Sequence, residues 1–224
     1  MVTSDRTGVL RATADDGGKA RLSPRELRKQ QRIALSRAQI LDTAEELFAE
    51  YGYHETGLKD VAARCEFSVG SIYTLFPSKE SLYEEVLLRY YGDAQWEKTQ
   101  RIAPPSMPSD ERLIALAEMQ METIRQHPAW SAVHADALRI AMIRSAVLPE
   151  RFMDEVRRSY AYVQKIIEDG QRQGLVPDGD PGAMAKLYFT LVNALTTTNA
   201  STGEPNTDSK LFLSVIRRAF TTQS

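Results

Sequence analysis

The sequence predicts an all-helical chain. Apolar residues recur at intervals of three and four along most of its length, the spacing that gathers them on one face of an α-helix. No segment alternates apolar and polar residues as a half-buried strand would, and no Asn-Gly hairpin dipeptide occurs.

Residues 1–18 hold few large apolar groups and read as disordered. Between Lys19 and Arg37 stand seven basic residues (Lys19, Arg21, Arg25, Arg28, Lys29, Arg32, Arg37) against the single acid Glu26. A helix can start at Ser23-Pro24, an N-cap and first-turn pair. With too few apolar residues to bury a broad face, it is expected to form only on binding a partner. The first strongly amphipathic helix runs from Arg37 to Tyr51, carrying Ile40, Ala44, Leu47, Phe48 and Tyr51, and Gly52 ends it. Shorter helices fit Leu58 to Cys65 and Val69 to Leu75, and a fourth starts at Ser78, with Glu80 in its first turn.

The pattern beyond residue 92 is helical throughout. Arg101 to Pro108 contains three prolines and reads as a loop. Helices are predicted over Asp110–Gln126, Trp130–Ser145, Glu150–Glu168, Pro181–Ala200 and Asp208–Thr221. The helix from Glu150 aligns Phe152, Val156, Tyr160, Val163 and Ile167 in one stripe. The run from Gly170 to Asp180 is expected to form a loop, and Asp180-Pro181 to start the next helix. A basic arm over residues 1–35 thus precedes helical segments over 36–91 and 92–224.

Composition narrows the class. The 224 residues are 42% hydrophobic and 26% charged with net charge −2, which excludes collagen-like, disulfide-scaffold and wholly disordered chains. A lone cysteine, Cys65, cannot pair within the chain and points to a reducing compartment. No secretory signal and no apolar run of about 18 residues is present, so a cytoplasmic protein without a membrane span is expected.

The informative stretch is Thr56 to Leu82. Two short helices separated by about three residues can cross steeply, and the second can then lie in a DNA major groove. Ser68 can cap that second helix. Val69, Gly70 and Ser71 are small enough for close approach to base edges, while Ile72 and Phe76 face the core. Tyr73 offers a hydroxyl to a phosphate, and Lys79 stands at a helix N-terminus, where an anion is already favoured.

At these residues the chain resembles the TetR family of bacterial transcription regulators. The resemblance rests on Thr56, Leu58, Val61-Ala62, Ser68, Gly70, Tyr73, Phe76, Lys79 and Leu82 at the family's spacing. Ile40, Ala44, Phe48 and Gly52 match in the preceding helix, so that about 50 residues are covered. Two positions depart from the pattern. Glu66-Phe67 replaces the usual glycine and valine of the turn, so Glu66 either takes a left-handed conformation, at about 1 kcal/mol, or the turn shifts. Gly57 stands where a hydroxyl residue is usual, leaving one phosphate contact missing or made by the backbone.

The resemblance implies base reading by Val69, Ser71 and Thr74, with Lys59 as a further base or phosphate contact. Tyr73 and Lys79 would grip the backbone, with Gly57, Ser68 and Gly70 at the interface, and the basic arm would lie along the DNA. It also implies a three-helix domain with a helix-turn-helix (36–91), followed by a larger helical domain (92–224) that dimerises and holds an effector pocket. Leu187, Tyr188, Leu191 and Leu195 on the penultimate helix, with Leu211 and Val215 on the last, are the candidates for a four-helix dimer interface. Candidate pocket residues are Trp96, Met119, Thr123 and Trp130, with His134, Met142, Phe152 and Tyr160.

The expected partners are a double-stranded, pseudo-palindromic DNA operator, a second copy of the chain and a small apolar or amphipathic effector that releases a repressor. A regulator without an effector is the alternative, which a collapsed core in the second domain would favour. No phosphate loop, metal-ligand pair or nucleophile elbow is present, so neither catalysis nor a cofactor is expected. Pro128 separates His127 from His134, and no cysteine or acid cluster accompanies them, so no metal site is expected.

Overall fold

A computed structural model of the chain describes residues 23–144, 148–194 and 208–222, with the backbone alone at 142–144. Among these residues there are ten helices and no strand. They are α1 (Pro24–Glu55), α2 (Leu58–Arg64), α3 (Val69–Leu75), α4 (Lys79–Leu88), α5 (Asp93–Ile102), α6 (Ser109–Gln126), α7 (Pro128–Arg144), α8 (Glu150–Gln173), α9 (Pro181–Ala194) and α10 (Ser209–Phe220). None is long and apolar enough to cross a membrane.

The chain forms two compact units, Met1–Ser36 and Arg37–Ser224. The described part of the first is already helical, contrary to the expectation that it folds only on binding. Ser23 and Glu26 make a capping box, at the Ser-x-x-Glu spacing that the N-cap assignment at Ser23 left unused. The Glu26 carboxylate accepts from Ser23 N at 2.8 Å, and Ser23 Oγ accepts from Glu26 N at 3.3 Å. Arg25, Arg28, Lys29 and Arg32 are all exposed on this helix, as are Leu27 and Leu35. Lys19 and Arg21 lie outside the described residues.

In the second unit, α1 packs Ile40, Ala44, Leu47 and Phe48 into a core shared with Val61, Ile72, Phe76, Leu82 and Val86. Gly52 takes φ +81°, ψ 165°, so the helical path breaks where the glycine stop was predicted. Buried Thr56 donates its hydroxyl to the carbonyls of Leu47 (3.1 Å) and Gly52 (2.9 Å), satisfying acceptors at the helix end. The same core continues through Trp130, Val133, Ala137, Phe152 and Val156 of α7 and α8. The side chains on either side of residue 92 therefore share one apolar core.

A second core joins α6, α8, α9 and α10 through Leu113, Ile166, Val192, Phe212, Ile216 and Phe220. The stripe predicted on α8 faces inward, with Phe152, Val156, Val163 and Ile167 buried and Tyr160 half-buried. That helix is longer than expected, and Gly170 is inside it rather than in a loop. A Cβ there would stand 2.4 Å from Val176 Cγ2 and 2.9 Å from Ser109 Cβ, so glycine is required by close packing. The helix ends instead at Gly174, in the left-handed conformation at φ +71°. Thr222 then ties the last helix down, donating its N–H to Leu175 O at 3.0 Å and its hydroxyl to Gly174 O at 2.8 Å.

Candidate nucleic-acid interface and cavity

Helices α2 and α3 are joined by a turn that reaches the left-handed conformation without a glycine. Glu66 adopts φ +59°, the single positive φ at a non-glycine among the described residues. Phe67 N–H bonds Ala62 O at 3.0 Å and Glu66 N–H approaches Ala63 O at 3.4 Å, the paired closure of a Schellman motif. The left-handed alternative is therefore the one adopted, and the turn is not shifted. Phe67 is half-buried against the core, an apolar anchor at the residue after the left-handed position.

Ser68 caps α3 as predicted, its Oγ accepting from Ser71 N at 3.1 Å. Ile72 and Phe76 are fully buried, which orients the opposite face outward. That face presents exposed Gly70, Tyr73 and Thr74, with Val69 and Ser71 half-exposed beside them. Tyr73 is 54% exposed. A Cβ on Gly70 would meet nothing nearer than Ser68 Oγ at 3.9 Å, so no packing within the chain requires glycine there. Two of the expected base-reading hydroxyls are already engaged. Ser71 Oγ stands 2.7 Å from Ser68 Oγ, and Thr74 donates to Gly70 O at 2.9 Å.

Three residues assigned from sequence have partners within the chain. Gly57 N–H was one route to a phosphate, but it donates to Asp60 Oδ2 at 2.7 Å. Lys79 is half-buried rather than free, with Nζ donating to His54 O at 3.1 Å and lying 4.4 Å above the Tyr53 ring. Burial and the adjoining Glu80 push the Tyr53 hydroxyl up to about 12. Arg37, counted with the basic arm, is a brace for α3. It bonds Leu75 O at 2.7 Å, pairs with Glu85 and stacks 4.4 Å over Phe76. Lys59 remains exposed on α2.

A cavity of about 130 Å³ opens among α5 to α9 and the segment following α4. Of the sequence candidates, Trp96, Met119, Thr123, Trp130, His134 and Tyr160 line it. Phe152 does not. It lies behind the wall, its ring edge-on to Tyr91 and His134 at 5.9 and 5.5 Å. The Met142 side chain lies outside the described residues.

Sequence reasoning missed Tyr90, Tyr91, Glu155 and Phe189, which complete much of the wall. Only the Tyr90-Tyr91-Gly92 break after α4 could have hinted at them. Tyr91 and His134 meet at 2.7 Å between the hydroxyl and Nε2, the histidine buried and the tyrosine half-buried. Desolvation pushes the imidazole down to about 4 and the Tyr91 hydroxyl well above its ordinary value.

Among the proposed dimer residues, Leu187, Leu211 and Val215 are 50%, 60% and 41% exposed. Tyr188 is not available to a partner. It is 2% exposed, donates to Leu113 O at 2.7 Å and lines the cavity. Leu191 is half-buried against the second core, and Leu195 lies outside the described residues.

A pair of short helices with a capped, outward-facing second helix, attached to a helical body with a cavity, is the architecture of a helix-turn-helix transcription regulator. The family model for "bacterial regulatory proteins, tetR family" matches residues 40–86. The chain is 37% identical over 157 residues to the HTH-type transcriptional regulator UidR of Escherichia coli K12, covering 70% of this chain and 77% of that protein. The chain therefore belongs to the TetR family. Among solved structures, the ketosteroid transcriptional regulator KstR2 of Mycobacterium tuberculosis aligns with TM-score 0.67 and 23% identity, over 84% of this chain and 96% of that one. AibR, solved with isovaleryl coenzyme A and operator DNA, aligns with TM-score 0.66 and 20% identity, over 82% and 97%. Both share its fold.

Proposed function

We propose that this TetR-family regulator binds a pseudo-palindromic operator as a homodimer and leaves it when a small apolar or amphipathic effector fills the cavity. It would thus act as a cytoplasmic repressor rather than an enzyme. The outward face of α3 carries the reading. Val69, Gly70, Ser71 and Thr74 approach the base edges, Tyr73 grips a phosphate, and Lys59 adds a contact from α2. Gly57 and Lys79 serve mainly to hold the ends of α2 and α4. The exposed basic helix from Arg25 to Arg32 supplies the cationic phosphate contacts that α3, with no lysine or arginine, lacks.

The open cavity supports an effector over the effector-free alternative, since a constitutive binder has no need of unfilled space in its core. Exposed Leu187, Leu211 and Val215 support pairing through α9 and α10. A ligand that binds only one spacing of two linked reading heads shifts the population away from DNA.

Selection of bound duplexes from random DNA tests the reading. Two inverted half-sites with centres about one helical turn apart are expected. The Gly70→Leu variant should fold normally, because the added side chain meets open space, and should lose the selected operator. Unrelated recovered sequences, or a Gly70→Leu protein that still binds them, would overturn it.

A further inference from the structure

We propose that the effector is a compact organic cation, its positive centre held between the Glu155 carboxylate and the aromatic rings of the cavity wall. This rests on the reading of the cavity as the effector site. Eight of the lining residues are Phe, Trp or Tyr, in a chain that is 8% aromatic. Rings alone would accept any flat apolar molecule, so the charges decide. No lysine or arginine occurs among the described lining residues, and Glu155 is the acid. His134 adds no positive charge at neutral pH, because burial keeps its imidazole deprotonated.

A carboxylate or phosphate entering this wall would be desolvated beside Glu155 with no lysine or arginine in the lining itself to receive it, a steep penalty. A cation gains from the carboxylate and from every ring face it touches. Trp96 already displays that preference within the chain, since the Arg158 guanidinium lies 4.3 Å over its ring. Arg158 pairs with Glu155 only at the long end of ion-pair distance and divides its charge with Asp93. Its Nη1 is 4.0 Å from Glu155 Oε2 and 3.9 Å from Asp93 Oδ1, with the side chain 40% exposed. The cavity, about 130 Å³, is small beside the roughly 300 to 1,000 Å³ of common ligand pockets, which favours a compact quaternary or tertiary ammonium over an extended conjugate.

Both tryptophans of the chain, Trp96 and Trp130, line the cavity, so intrinsic fluorescence reports occupancy of the full-length protein directly. The probes are phenyltrimethylammonium, its uncharged isostere tert-butylbenzene, and phenylacetate. The cation should quench at a Kd at least about ten-fold below either competitor. Glu155→Gln should remove that advantage while leaving tert-butylbenzene binding unchanged. Equal or tighter binding of the neutral or anionic probe to the wild-type protein overturns the proposal without recourse to a variant, as does absence of quenching by the cation. Adding each probe to the operator complex separates the two readings. A cation that binds without releasing DNA upholds the ligand class and sinks the effector role. Release by phenylacetate alone does the reverse.

Discussion

Arg37 Nη1 donates a 2.7 Å hydrogen bond to the carbonyl of Leu75, the last residue of α3, while the same guanidinium pairs with Glu85 and covers the ring of Phe76. A side chain at the start of the second compact unit thus ties the end of the reading helix to α4. The carbonyls of a helix's last turn lack partners within the helix, and a cation there also suits the dipole. Replacing Arg37 by alanine should destabilise the protein by about 1 to 2 kcal/mol and weaken operator binding by about ten-fold. Thermal melts and fluorescence anisotropy would measure both. Wild-type affinity in a folded Arg37→Ala protein would show that the brace does not position α3.

Glu66 occupies a left-handed backbone position at φ +59°, where its side chain is strained and glycine is not. Glu66→Gly should therefore stabilise the protein by about 1 kcal/mol, raising Tm by roughly 2 to 4 °C. A lower Tm would mean that exposed Glu66 contributes more than its backbone strain removes.

His134 makes stability depend on pH. Burial holds its folded-state value at about 4, whereas the unfolded residue titrates near 6.5. Between these values the unfolded chain binds a proton that the folded chain refuses, so acid favours unfolding. The contribution is complete above pH 6.5 and declines as pH falls towards 4, by on the order of 3 kcal/mol. The neutral replacement His134→Gln should flatten this part of the profile relative to wild type. Parallel denaturation curves for the two proteins from pH 7 to 4.5 would exclude it.

Residues 1–30 include Arg25, Arg28 and Lys29, all exposed on the first helix. Their deletion should weaken operator binding and reduce the dependence of log affinity on log salt by about one for each phosphate no longer neutralised. An unchanged slope would remove the arm from the interface.

Leu211 and Val215 lie one turn apart on α10, both largely exposed. The double variant Leu211→Glu, Val215→Glu should convert a species of about 50 kDa to the 25.2 kDa monomer by light scattering, without loss of helicity. A variant that retains the doubled mass would place the dimer interface elsewhere.

Local sequence sufficed for the helical class, most helix boundaries, the inward Ile72 and Phe76, the Ser68 cap and the family motif. These depend on contacts a few residues apart, which periodicity and capping chemistry record directly. It also located the weak point of the turn at Glu66, though not the conformation adopted there. The tertiary structure decided the rest. Arg37 reads as one more cation in a basic run until a carbonyl 38 residues away gives it a partner. Tyr188 matches a dimer stripe in sequence, yet the 2.7 Å bond to Leu113 O turns it inward. Gly170 reads as a loop residue until Val176 and Ser109 occupy the space a Cβ would need. The cavity gathers Tyr91, His134 and Glu155 from three separate segments, and no local pattern records their proximity. Nearest-neighbour chemistry writes the helices into the sequence, but the burial and charge environment of a site exist only once those helices have packed.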